Sequence, residues 1–239
     1  MKEIPFVFKK YLFIYLTIGF IAFTVIGTLS HEFGHYAVAK YFGWNPQIRY
    51  AYCTAGNGYN NSRLKEIYDL RNIEINTNKP FPEKEEFEKL REKYRMIGSM
   101  MTLGGPIETI LTSIIGLIIL IIYRRKISIK ESLSFINWLA VFIALFILRQ
   151  TANMFVGFGI LLFTSRMPHG DEFGISWMIG LNPWALDIIT GVIGLLFLAW
   201  IIFRIIPISE RFTFILSGIF GGVSGYILWL ILLGPIILP

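Results

Sequence analysis

The chemistry most easily read from this chain sits in one short stretch, His31-Glu32-Phe33-Gly34-His35. Imidazoles four residues apart lie on one face of a helix, about one turn from each other, which is the spacing two ligands of a tetrahedral zinc require. The glutamate between them is placed to act as general base on a water activated by the metal. Two histidines do not hold a catalytic zinc alone, so a third protein ligand is needed. Cys53 is the single cysteine, which excludes an internal disulfide and a cysteine-rich zinc site and leaves His, Asp or Glu to complete the set.

Half of the sixteen acids fall in the polar stretch after the motif; the others are Glu3, Glu32, Glu108, Glu131, Asp171, Glu172, Asp187 and Glu210. Glu3, Glu131 and Glu210 belong to basic flanks or short loops. Asp171 follows Pro168 and Gly170 and precedes the apolar stretch 173–181, which reads as a helix starting at membrane depth. Irregular backbone at that depth is tolerated only where it lines a cavity or is buried in protein. Asp171 is therefore the leading third ligand, with His169 and Glu172 as alternatives. Glu108 follows Gly104-Gly105-Pro106, which reads as a helix start, and a first-turn acid there is as readily a dipole-capping carboxylate as a catalytic one. Asp187, after Asn182-Pro183-Trp184, reads as an interfacial helix-start residue. Asn153, in Arg149-Gln150-Thr151-Ala152-Asn153, is an intramembrane polar group that either positions substrate or bonds a neighbouring helix.

These groups must be carried by membrane elements. A chain of 239 residues that is 54% hydrophobic has no interior large enough to hide its apolar surface in water. The reading is an all-α polytopic integral membrane protein, a single membrane-embedded domain over 1–239. Apolar runs of spanning length cover 11–30, 97–123, 133–148, 185–206 and 212–238. The run 154–163 is too short to span, so five crossings are expected, or six with one broken. The first run leads directly into the histidine motif and has no small-residue cleavage site, so it is read as retained.

Residues 44–96 form a polar insertion between the first two crossings. Gln47 to Cys53 has strand character and is followed by the turn signals Gly56, Asn57 and Gly58, which predicts a short strand or hairpin. Pro82 opens a charged amphipathic helix, 83–95, with Phe87, Leu90 and Tyr94 on one face. The formal charge of +6 does not imply a nucleic-acid partner, because Lys9, Lys10, Arg124, Arg125, Lys126, Lys130, Arg204 and Arg211 sit at the ends of apolar runs, where lipid headgroups are met. If those ends share the cytoplasmic side, the insertion lies on the other.

On these motifs the chain resembles the site-2 protease family of intramembrane zinc metalloproteases, as a divergent member over about residues 11 to 181. His31, Glu32 and His35 match its first motif fully. Gly105 and Pro106 match part of a Gly-Pro-x-x-Asn motif, with Thr109 in place of the Asn. Pro168 and Asp171 keep the proline-to-aspartate spacing of the third motif, while Gly170, Glu172 and Phe163 depart from it. The resemblance implies Zn2+ held by His31, His35 and Asp171, Glu32 as catalytic base, and cleavage of a peptide bond within or beside a transmembrane helix. It leaves Asn153, Thr109, Glu172 and His169 as substrate-positioning or supporting residues. The partners it implies are the lipid bilayer, a membrane-protein or membrane-bound peptide substrate, and a regulatory or gating partner. A strand edge near Gln47 to Cys53 is suited to hold an unwound substrate segment by β-addition.

Three other functions fit parts of the sequence. An inactive scaffold or accessory subunit would keep the helices but has no need of intact His31, Glu32 and His35, which are costly in a membrane. A metal or proton transporter would be supported by inverted repeats, which are not found here. A zinc hydrolase acting on lipid or a prenylated peptide is the third.

Overall fold

The computed structural model describes residues 7–56, 62–127, 132–167 and 169–239, the side chains of 124–127 excepted. Glu3, Asn57, Gly58, Lys130, Glu131 and Pro168, all used in the sequence reading, lie outside the described residues. The fold is all-α and polytopic, and the long apolar runs dictate its helices. The first, α1, spans Lys10–Tyr41 and carries the histidine motif in its last third. It ends in a paired reverse bond: Gly43 N–H reaches Lys40 O and Trp44 N–H reaches Ala39 O, with Gly43 at φ +78°, a conformation that favours glycine. This stop turns the chain into the polar insertion beside the motif.

The insertion contains a small antiparallel hairpin, β1 (Gln47–Ile48) and β2 (Cys53–Thr54), then α2 (Arg63–Asn76), capped by Ser62. The strands are shorter than the sequence indicates. The reversal falls at residues 49–52, before Gly56, so the glycine-rich signal marks the exit from the hairpin rather than its turn. Helix α2 was not foreseen, because its pattern is mostly polar; it packs on the next helix through buried Ile67.

That next helix, α3 (Lys84–Ile127), runs unbroken from the charged stretch through the second crossing. Pro106 therefore lies inside a helix and starts none, and Glu108 is not a capping residue. Proline has no N–H, so the helical bond to the Thr102 carbonyl is missing at this point. The third crossing also corrects the sequence reading. Helix α4 (Phe135–Ala144) passes through one 3-10 turn at 145–147 into α5 (Leu148–Thr164), so runs 133–148 and 154–163 are one span and Arg149 to Asn153 lie inside it. Short α6 (Asp171–Met178) follows, then α7 (Trp184–Trp200), α8 (Ile208–Tyr226) and the last turn α9 (Gly234–Ile237). Wider π-type turns extend α7 to residue 205 and join α8 to α9.

Five helical stretches are long and apolar enough to cross a membrane: 10–41, 84–123, 135–164, 184–205 and 208–237. Many of their large apolar side chains face outward, among them Ile18, Ile122 and Leu196, each more than 60% exposed. Lipid is the solvent that tolerates such a surface. Helix α1 packs between α3 and α8, α3 against α4 and α6, and α7 against α5 and α6. One core, built on Leu16, Leu120, Trp138, Phe142 and Phe214, fills the end of the bundle near Lys9. At that end Glu210 accepts from Lys9 Nζ at 3.1 Å and from Leu133 N–H at 3.2 Å, tying the first, third and fifth spans together. The motif lies toward the opposite end.

Candidate metal centre

Helices α1 and α3 touch backbone to backbone at Gly34 and Gly104; a Cβ on either would fall inside van der Waals distance of the other's carbonyl oxygen. Small residues permit such an approach between membrane helices. The next residue, Gly105, faces the Nε2 atoms of both His31 and His35 so closely that a Cβ there would collide with both. The glycine pair thus lets α3 lie across the motif and leaves the ring nitrogens unobstructed.

The far nitrogen of each ring is held. His35 Nδ1 lies 2.7 Å from the Met101 carbonyl, which only accepts, so that nitrogen carries the hydrogen and Nε2 carries the lone pair. Gly105 N–H makes a longer, 3.3 Å approach to the same Nδ1. His31 Nδ1 lies 2.9 Å from Thr109 Oγ1; donation to that hydroxyl likewise leaves its Nε2 as an electron-pair donor. Pro106 lies between these two anchors on α3.

Helix α6 supplies the third group. Phe173 meets the Trp184 ring edge-on at 4.8 Å, Trp184 stacks on Phe158 at 4.9 Å, and Leu186 N–H donates to Ser176 Oγ at 3.1 Å, which locks α6 against α5 and α7. Asp171 in its first turn then stands with Oδ2 2.9 Å from His31 Nε2 and 3.2 Å from His35 Nε2, while the two Nε2 atoms are 3.2 Å apart. Burial opposes ionisation of Asp171, but the facing imidazoles outweigh it and hold the carboxyl below its usual range. For neighbouring Glu172 burial dominates, aided by the charges of Asp171 and Asp187, and its carboxyl is pushed up.

The residues fit a zinc ion. Three electron-pair donors within 3.2 Å of one another repel unless a proton or a cation lies among them. Ligand atoms at ordinary Zn–N and Zn–O bond lengths in a tetrahedron stand about 3.3 Å apart. His31 and Glu32 are almost fully buried, and a carboxylate oxygen of Glu32 lies within 4.8 Å of a nitrogen from each ring. Glu32 Oε1 is also 3.3 Å from Arg149 Nη2 on α5, a guanidinium that offsets its charge.

A cavity of about 370 Å³ opens beside this triangle. Its wall includes Glu32, His35, Cys53, Asn153, Glu172 and Asp187. His169 also lines it and is exposed, outside the triangle of His31, His35 and Asp171. Thr109 is buried against His31, Asn153 faces the cavity, and Glu172 lies 2% exposed behind Asp171. Glu108, which the sequence left open between a capping and a catalytic carboxylate, accepts from Ser30 and, at 2.8 Å, from Thr112, bridging α1 and α3. Asp187 lies in the first turn of α7, at the helix start where the sequence placed it, and is fully buried. Sequence reasoning gave Arg149 no role; an isolated cation inside an apolar span was the signal. Comparison with protein-family models, with curated proteins and with solved structures returned no match.

Proposed function

We propose that this chain is a zinc-dependent intramembrane endopeptidase that hydrolyses a peptide bond in or next to a transmembrane helix of a membrane-protein or membrane-bound peptide substrate. The observation that carries the reading is the convergence of Asp171 Oδ2 with the two Nε2 atoms at 2.9 and 3.2 Å, from helices 140 residues apart in sequence. His31, His35 and Asp171 would hold the ion. A zinc ion so held supplies two things: it lowers the pKa of a water to near neutrality and it polarises a carbonyl.

The remaining work falls to the chain's own residues. Glu32 takes the proton from the attacking water and returns it to the leaving amine. Arg149, 3.3 Å away, supports the charge that Glu32 carries before and after that transfer. Thr109 and the Met101 carbonyl fix ring orientation, so neither imidazole has to reorient during reaction. Ala51, Tyr52 and Cys53 of the hairpin line the cavity, a position suited to pairing with an unwound substrate segment. His35 is five residues before Lys40, about 8 Å along the helix, which favours cleavage near the end of a substrate span.

The test is hydrolysis of a membrane-spanning peptide by the purified full chain in lipid, compared with Glu32→Gln. Turnover is expected to fall about 10³-fold with bound metal retained. Equal turnover by both proteins would overturn the reading.

A further inference from the structure

Asp187 is the least compensated polar group of the cavity. It is fully buried on the first turn of α7, lines the cavity wall, and neither carboxylate oxygen has a hydrogen-bond partner. Glu172, 2% exposed on the same wall, has Oε1 unpartnered as well. An isolated buried carboxylate is costly, and such groups are retained where something charged completes them. Arg149, the one Lys or Arg of the cavity wall among the described residues, has its described ion pair with Glu32 alone.

The charges around the cavity are unequal. Glu32, Asp171, Glu172 and Asp187 face one guanidinium. With all four carboxylates ionised, a divalent ion at the His31, His35 and Asp171 triangle would still leave one negative charge without a partner, on the side where Glu172 and Asp187 lie. A second metal ion does not suit that side: among the described residues, the groups with converging ligand atoms lie at the motif, His31, Glu32 and His35 and the triangle His31, His35 and Asp171, and Glu172 and Asp187 belong to neither. An organic cation on a flexible stem does suit it, because it needs one or two carboxylates and apolar walls, here Val156, Ile160 and Phe173.

We infer that Glu172 and Asp187 form a subsite for a lysine or arginine side chain of the substrate, close to the bond that is cut. The inference rests on the peptidase reading and narrows it. Lys and Arg are concentrated where membrane helices meet the headgroups, and His35 of the cavity wall lies about 8 Å along α1 from Lys40 in its last turn. A basic subsite would then align the flank of a substrate helix rather than its apolar middle.

The probes are a leucine–alanine host peptide of spanning length, about 20 residues, carrying either lysine or norleucine at each position of one flank in turn. Norleucine keeps the stem and removes the charge. Binding is measured to full-length Glu32→Gln protein, so that peptide stays intact, and cleavage is measured with Glu32 present. At one flank position, lysine is expected to bind about 30-fold more tightly than norleucine, and Asp187→Asn is expected to bring that ratio near one. Asp187→Asn removes an uncompensated buried charge and keeps its shape, so thermal unfolding should not fall. Equal binding of the two peptides at every position, or a ratio untouched by Asp187→Asn, overturns the subsite. A lysine preference in binding with no cleavage by the unsubstituted chain overturns the peptidase reading and leaves the subsite standing.

Discussion

Thr109 Oγ1 stands 2.9 Å from His31 Nδ1, the nitrogen that points away from Asp171. This contact selects which nitrogen of His31 is free to bind metal. Replacing Thr109 with Val keeps the shape but removes the hydroxyl, and zinc affinity is expected to fall by about 10- to 100-fold. Thr109→Ser should keep most of it. Competition with a chelator of known affinity measures both.

Gly105→Ala should abolish metal binding while leaving the helices intact. The added methyl meets both Nε2 atoms, and the rings cannot swing aside because Thr109 and the Met101 carbonyl hold them. Metal analysis beside a circular dichroism spectrum checks it. Full metal occupancy with an unchanged spectrum would mean that the rings have more freedom than the two hydrogen bonds allow.

Arg149 and Glu32 should behave as one unit. Arg149→Met leaves a carboxylate 3% exposed without its cation, and a loss of about 3 kcal/mol in stability is expected. In a Glu32→Gln background the same substitution should cost far less. A double-mutant cycle on thermal or denaturant unfolding measures the coupling; two additive effects would show that the pair is not energetically joined.

Cys53 offers a pH test outside the membrane spans. Burial, helped by the charge of Glu32, pushes its thiol up from 9.0 to about 11. Raising a thiol pKa lowers the thiolate fraction at any pH below it, and two units correspond to about a hundredfold at pH 8. Alkylation of Cys53 in the folded chain should therefore be about a hundred times slower than in urea and should keep accelerating beyond pH 9. A rate plateau near pH 9 would contradict this.

Much of this arrangement was legible from residue types and spacing. The i, i+4 histidines fixed a common face, and the apolar runs fixed five spans. Asp171 was selected by irregular backbone before a short apolar helix, and α6 begins at that residue. Two adjacent glycines at 104 and 105 permit a close helix approach, but nothing in the sequence says that Gly105 meets the imidazoles themselves. What could not be read were relations set by tertiary packing. Pro106 resembled a helix start because proline is most tolerated there, but packing against α1 and α6 carries α3 through it. Asp187 read as an interfacial helix start and stands in the first turn of α7; its burial was not legible, because the contacts of Trp184 with Phe158 and Phe173 that hold that turn against α5 and α6 are tertiary. Arg149 seemed to break a span that is continuous, because hydropathy does not register a buried counter-charge on another helix.

A metal held by His31, His35 and Asp171 would show in elemental analysis of the purified chain beside Asp171→Ala and Glu32→Gln, after dialysis against a weak chelator. Zinc near one equivalent in the unsubstituted chain and in Glu32→Gln, with almost none in Asp171→Ala, is the expected result. Equal zinc in all three would move the third ligand away from Asp171, and no zinc in any of them would contradict the metal centre itself.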